Sequence, residues 1–185
     1  MNKEELDEKY KNYAWYASQC RGSVLNEIIT LERLMDNYIS SYFCDTEEKR
    51  KELMALIMCT ERITFDSKRQ VFETIMQRRH PEVYSKNKKT LNYLSNIMQE
   101  RNKLAHYMLM YSEDAANGLD NKEFTLVRFK NVVTHEVFGE PRITELINKV
   151  HKCMEIIINL HPVLSQLSDP SKITSSSGSD TPAPE

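Results

Sequence analysis

Arg101, Asn102 and His106 are residues whose types and spacing converge on one piece of chemistry. They lie in the stretch Gln-Glu-Arg-Asn-Lys-Leu-Ala-His-Tyr-Met-Leu-Met, residues 99–110. On a helix turning about 100° per residue, positions 102 and 106 stack on one flank, next to Arg101. Ala105 lies between Arg101 and His106 in projection and adds no bulk. A guanidinium stays charged and is costly to bury without an anion. It can grip a phosphate through two parallel N–H donors. An imidazole, with an ordinary pKa of about 6.5, moves protons near neutral pH. The asparagine can orient a phosphate oxygen or the imidazole. Together they would make a cradle for a phosphodiester. The competing account is structural: Arg101 closes an ion pair with a buried Glu27 or Glu32, and His106 is an interfacial histidine. Residue chemistry alone leaves both open.

The motif needs a long helix to hold it. Residues 89–111 carry Leu91, Leu94, Met98, Ala105, Met108 and Leu109 on one stripe, with Ile97 and Leu104 at its edge and Arg101 in its middle. Upstream, Leu6, Tyr10, Tyr13 and Ala17 mark a helix to about residue 20, and Gly22 reads as a break or bend. Val24, Ile28, Leu31, Met35, Tyr38 and Tyr42 mark the next helix. Asp45-Thr46 caps a shorter helix over 47–58. A further one over 66–79 should bury Val71, Phe72, Ile75 and Met76, and His80-Pro81 stops it. Residues 112–121 read as a polar loop. Two β-branched and aromatic runs, 123–129 and 132–138, flank Lys130-Asn131 as a β-hairpin. Thr144 caps a last helix running to about 167. Its apolar side holds Leu146, Val150, Met154, Ile157, Leu160 and Leu164. The fold class is therefore all-α: a bundle of four to five helices over 1–167, with a small hairpin at about 123–138 before the last helix. Residues 168–185, rich in Ser, Thr and Pro, read as a disordered tail.

Composition narrows the function classes. The 185 residues hold 25 Lys and Arg against 27 Asp and Glu, a net charge of -2, so no global field draws in nucleic acid. Any such contact must be a local patch. The four cysteines, at 20, 44, 59 and 153, form no C-x-x-C pair and no zinc-spaced cluster, and are expected to be reduced thiols. His80, His135, His151 and His161 are scattered. No metal and no cofactor is expected. The charged start lacks an apolar signal core, and no apolar run approaches the ~18 residues of a membrane span, so the expected location is cytoplasmic.

The motif R-N-x-x-x-H near the end of a long helix in an all-helical chain resembles the HEPN superfamily signature. The likeness extends to the order of elements over 3–167. The resemblance implies a HEPN-like helical bundle and a metal-independent endoribonuclease, with Arg101 and His106 as the catalytic pair and Asn102 as supporting polar residue. It also implies a homodimer, here through the 91–111 helix. Such a protein cuts RNA by attack of the ribose 2′-OH on the adjacent phosphate, as a toxin or phage-defence effector with an antitoxin or defence-system partner. One subgroup has tyrosine two residues after the histidine; here that position is Met108, and the tyrosine is Tyr107. The alternative is a non-catalytic module of the same fold that binds a nucleotide or a protein. Two further features are ambiguous. Arg78, Arg79, Lys86, Lys88 and Lys89 could guide an RNA backbone or simply face solvent. Tyr10, Tyr13, Trp15 and Tyr16 could stack bases or pack in the core.

Overall fold

The chain is described by a computed structural model over residues 3–60 and 63–167. It is mostly helical, with one small antiparallel sheet. Helix α1 (Lys3–Phe43) is continuous. The break expected at Gly22 does not occur, because the apolar stripe keeps its phase through it. Tyr13, Ala17, Val24, Ile28, Leu31, Met35 and Tyr38 recur at helical spacing and are all buried. That shared packing outweighs the roughly 1 kcal/mol that a helical glycine costs. Helix α2 (Glu47–Leu53), capped by Thr46, runs on into a π-helical turn, Met54–Met58.

Helix α3 (Phe65–Arg79) buries Phe65, Lys68, Phe72, Ile75 and Met76. Val71, expected inside, is 40% exposed, and a lysine occupies the inward position instead. The expected helix over 89–111 is replaced by two. Pro81 does end α3, but it also opens α4 (Pro81–Leu91), since a proline at the first helical position lacks only an amide that would go unpaired. Helix α5 (Tyr93–His106) follows after Asn92. It stops at His106 because Tyr107 turns extended and strand β1 (Met108–Leu109) joins a sheet.

The polar stretch after β1 contains a short helix, α6 (Glu113–Asn117), capped by Ser112, and a 3-10 turn, Gly118–Asn121. Strands β2 (Glu123–Phe129) and β3 (Val133–Gly139) form the expected hairpin. β1 adds to its other edge, with Met108 opposite Val127 and Leu109 opposite Leu126. Helix α7 (Glu140–Leu167) starts earlier than Thr144, taking Pro141 into its first turn. It lies along α1, and both pack on α5. The tail expected over 168–185 lies outside the described residues.

Candidate functional site

Helix α5 is fixed from three sides. Leu94, Ile97 and Leu104, spaced three and seven apart, are fully buried. On a second face, Glu100 accepts two hydrogen bonds from Arg142 on α7 (3.0 and 2.7 Å) and one from Lys103 (3.0 Å). Lys103 and Arg142 also bridge to Glu136 on β3, at 2.9 and 3.0 Å. Burial pushes the Glu136 carboxyl up, but the bonds from Lys103 and Arg142 outweigh it and hold that group below its usual range. The third restraint comes from α1: Arg21 Nε donates to the Leu104 carbonyl at 2.8 Å. That carbonyl is in the last turn of α5, where the helix supplies no partner, and a cation is favoured there.

The same helix presents the motif outward. Asn102 and His106 are exposed and Arg101 is half-buried. Arg101 follows the phase of the buried residues, at 94, 97, 101 and 104. Its hydrogen bond is a long one, Nη1 to Asn102 Oδ1 at 3.4 Å. No carboxylate among the described residues bridges to it. Both acids considered as partners are engaged elsewhere: Glu32 accepts from Lys68 Nζ at 2.7 Å, and Glu27 Oε2 lies 3.0 Å from His151. The ion pair of the structural account is therefore absent among the described residues.

His106 stands between two clefts. One, of about 690 Å3, runs between α1, the segment after the π-turn, the start of α3, and α5. Arg101, His106, Arg33, Glu32, Asp36 and Lys68 line it. Lys68, 4% exposed, sits at its base and binds Asp36 at 2.8 Å as well as Glu32. Burial raises the Asp36 carboxyl above its usual range despite the Lys68 bond, and Asp36 Oδ1 has no partner among the described residues. Lys68 thus engages both acids of the cleft, and Arg33 and Arg101 remain without a carboxylate among the described residues. The second cleft, of about 580 Å3, is lined by Gln99, Asn102, Lys103, His106, Tyr107 and Arg128.

Of the sequence candidates, Arg101, Asn102 and His106 come together. The basic run does not join them: none of Arg78, Arg79, Lys86, Lys88 and Lys89 lines either cleft. Arg79 binds the Tyr42 hydroxyl at 3.1 Å, and Lys86 lines a separate groove between α4 and α7 with His80 and Lys152. The aromatic cluster splits. Tyr13 is buried and its hydroxyl accepts from the Thr125 amide at 2.9 Å, whereas Trp15 is 66% exposed. The sequence reading missed Lys68, Asp36, Arg33, Tyr107 and Arg128. Lys68 was detectable, as a charge in phase with Phe65, Phe72 and Ile75. Arg128 was not, because strand register brings it to the cleft: its guanidinium lies 5.7 Å from the Tyr107 ring centroid.

No group of three or more metal-ligating side chains occurs among the described residues. None of their helices is long and apolar enough to cross a membrane. No known family model, curated protein or solved structure matches this chain.

Proposed function

We propose that the chain is a HEPN-like, metal-independent endoribonuclease with Arg101 and His106 as its catalytic residues. The observation that carries the reading is Arg101: a half-buried guanidinium without a carboxylate among the described residues, five positions along the helix from an exposed histidine. A phosphate supplies an anion that no described carboxylate gives Arg101, and Arg33 across the cleft adds to the field around it.

The ribose 2′-oxygen attacks the adjacent phosphorus and loses its proton to a base. The P–O5′ bond breaks, and an acid protonates the departing 5′-oxygen. The products are a 2′,3′-cyclic phosphate and a 5′-hydroxyl. Arg101 offsets the charge that builds on the phosphoryl oxygens, and Asn102 holds the phosphate or the guanidinium in line. Among the described residues one chain brings a single histidine to these clefts, so a second proton carrier comes from His106 of another copy. In this reading the protein works as a homodimer. Leu91 and Leu94 cannot serve that contact, since both are buried in the chain's own core. The contact lies instead beside His106 and the exposed Met108, at the end of α5, leaving the cleft of Gln99, Asn102, Tyr107 and Arg128 open. The biological role that fits such a nuclease is a toxin or phage-defence effector, held in check by an antitoxin or defence-system protein.

The test is cleavage of single-stranded RNA in excess EDTA by the wild type and by His106→Ala. The expected result is cleavage by the wild type alone, leaving cyclic phosphate ends. Cleavage that requires added Mg2+, or that His106→Ala retains in full, refutes the assignment.

A further inference from the structure

We propose that the cleft of Gln99, Asn102, Tyr107 and Arg128 is a nucleobase subsite, seating the nucleoside next to the phosphate held at His106. The inference rests on the nuclease reading and adds to it a set of residues that bind an unpaired base and choose the cleavage position. His106 lines both clefts, so a strand whose phosphate meets Arg101 and His106 extends into the second cleft. At about 580 Å3 that cleft falls within the ~300–1,000 Å3 range of small-ligand sites.

Its lining divides into a stacking wall and a reading edge. Tyr107 and Arg128 form the wall, a ring and a guanidinium already in cation–π contact. Arg128 has no ion pair among the described residues, which leaves its plane available to a base. Aromatic rings and arginine planes are the surfaces on which unpaired bases stack. The reading edge is made of two amides. Gln99 has no hydrogen bond to another described residue, and Asn102 gives only its Oδ1, to the long contact with Arg101. Each amide offers donors and an acceptor matched to base edges. Lys103 is excluded from this role, since its ammonium is held by Glu100 and Glu136. A base in a duplex presents neither a free face nor a free pairing edge, so the subsite selects single strands.

Two measurements on the intact chain test this. The first is titration with the four ribonucleoside 5′-monophosphates, followed by NMR, for the wild type and for Tyr107→Ala, Tyr107→Phe, Arg128→Ala and Gln99→Ala. The wild type should bind the four unequally. Tyr107→Ala should weaken the preferred one about tenfold or more, and Tyr107→Phe by less than about twofold. Gln99→Ala should level the preference among bases. Arg128 is exposed, so Arg128→Ala keeps the fold and still weakens binding. Equal binding of all four, or binding that neither Tyr107→Ala nor Arg128→Ala weakens, overturns the subsite. The second measurement maps cleavage ends in a mixed-sequence single strand and in its duplex. Cleavage with unchanged ends in Gln99→Ala and Arg128→Ala overturns the subsite while leaving the nuclease intact. Tyr107-dependent binding without any cleavage does the reverse: the subsite stands and the nuclease reading falls.

Discussion

Replacing Arg101 and Lys68 separately by alanine distinguishes a functional cation from a structural one within the same cleft. Lys68 is 4% exposed and binds Asp36, itself 3% exposed, and Glu32. Its removal strands at least one carboxylate inside the protein, with Asp36 Oδ1 already unpartnered. Breaking a buried pair in this way costs about 3–5 kcal/mol. For a domain of this size each kcal/mol moves Tm by ~2–4 °C, so Lys68→Ala should melt on the order of 6–20 °C lower. Arg101 has no carboxylate to strand among the described residues. Losing its aliphatic stem should cost about 1 kcal/mol or less, no more than ~4 °C. Activity should sort the other way. Arg101→Ala, folded and near its original Tm, should lose RNA cleavage. Where Lys68→Ala is still folded, below its lowered Tm, it should keep part of its cleavage, because Lys68 does not itself meet the phosphate, although the Glu32 and Asp36 it releases compete with phosphate for Arg33 and Arg101. Circular dichroism melts and a cleavage assay on the same preparations give both readings. An Arg101→Ala protein that melts as early as Lys68→Ala makes Arg101 a structural ion. One that is stable and fully active removes it from the mechanism.

Two further outcomes concern the clamp and the assembly. Glu136 titrates below its usual range in the folded chain, so its contribution is present above about pH 4.3 and is lost as pH falls through its lower folded value. The Tm difference between wild type and Glu136→Gln should therefore be largest near pH 7 and shrink on acidification; a difference that stays constant with pH rejects the account. In mixtures of wild type with excess His106→Ala, a shared site predicts activity falling more steeply than the wild-type fraction. A strictly proportional fall, with subunit exchange verified, assigns a complete site to each chain.

The motif was legible because its chemistry sits in consecutive turns of one helix. The hairpin was legible too, from its β-branched runs and the two residues between them. The bounds of α5 were not, and the reason is tertiary. Residues 107–109 continue the helical stripe in sequence, but an open edge of β2 takes them: the Met110 amide donates to the Thr125 carbonyl at 2.9 Å. A two-residue strand leaves no periodic signature of its own. Gly22 misled for the related reason that a local propensity of about 1 kcal/mol was weighed without the packing on either side of it. The second cleft was out of reach, since Arg128 meets Tyr107 only through the pairing of β1 with β2.

Residues 101–106 show why the spacing of the motif matters as much as its residue types. Leu104 goes into the core and Lys103 into the clamp with Glu100 and Glu136, so the inner and lateral faces of that turn are committed to holding the helix. Asn102 and His106, four apart, share the outer flank and differ by only about 40° in projection. Arg101 keeps the inward phase, where bulk and charge would ordinarily be costly, because the helix faces an open cleft at that level rather than packed side chains. A single inserted residue would turn His106 by about 100° and remove it from both clefts. Arg21 then has a defined part: by bonding the Leu104 carbonyl it secures the last turn, from which His106 projects. The helix ends at His106, and the chain turns there into the strand that carries Tyr107's neighbours to the sheet. The position that closes the proposed catalytic site is thereby also the one at which the second cleft begins.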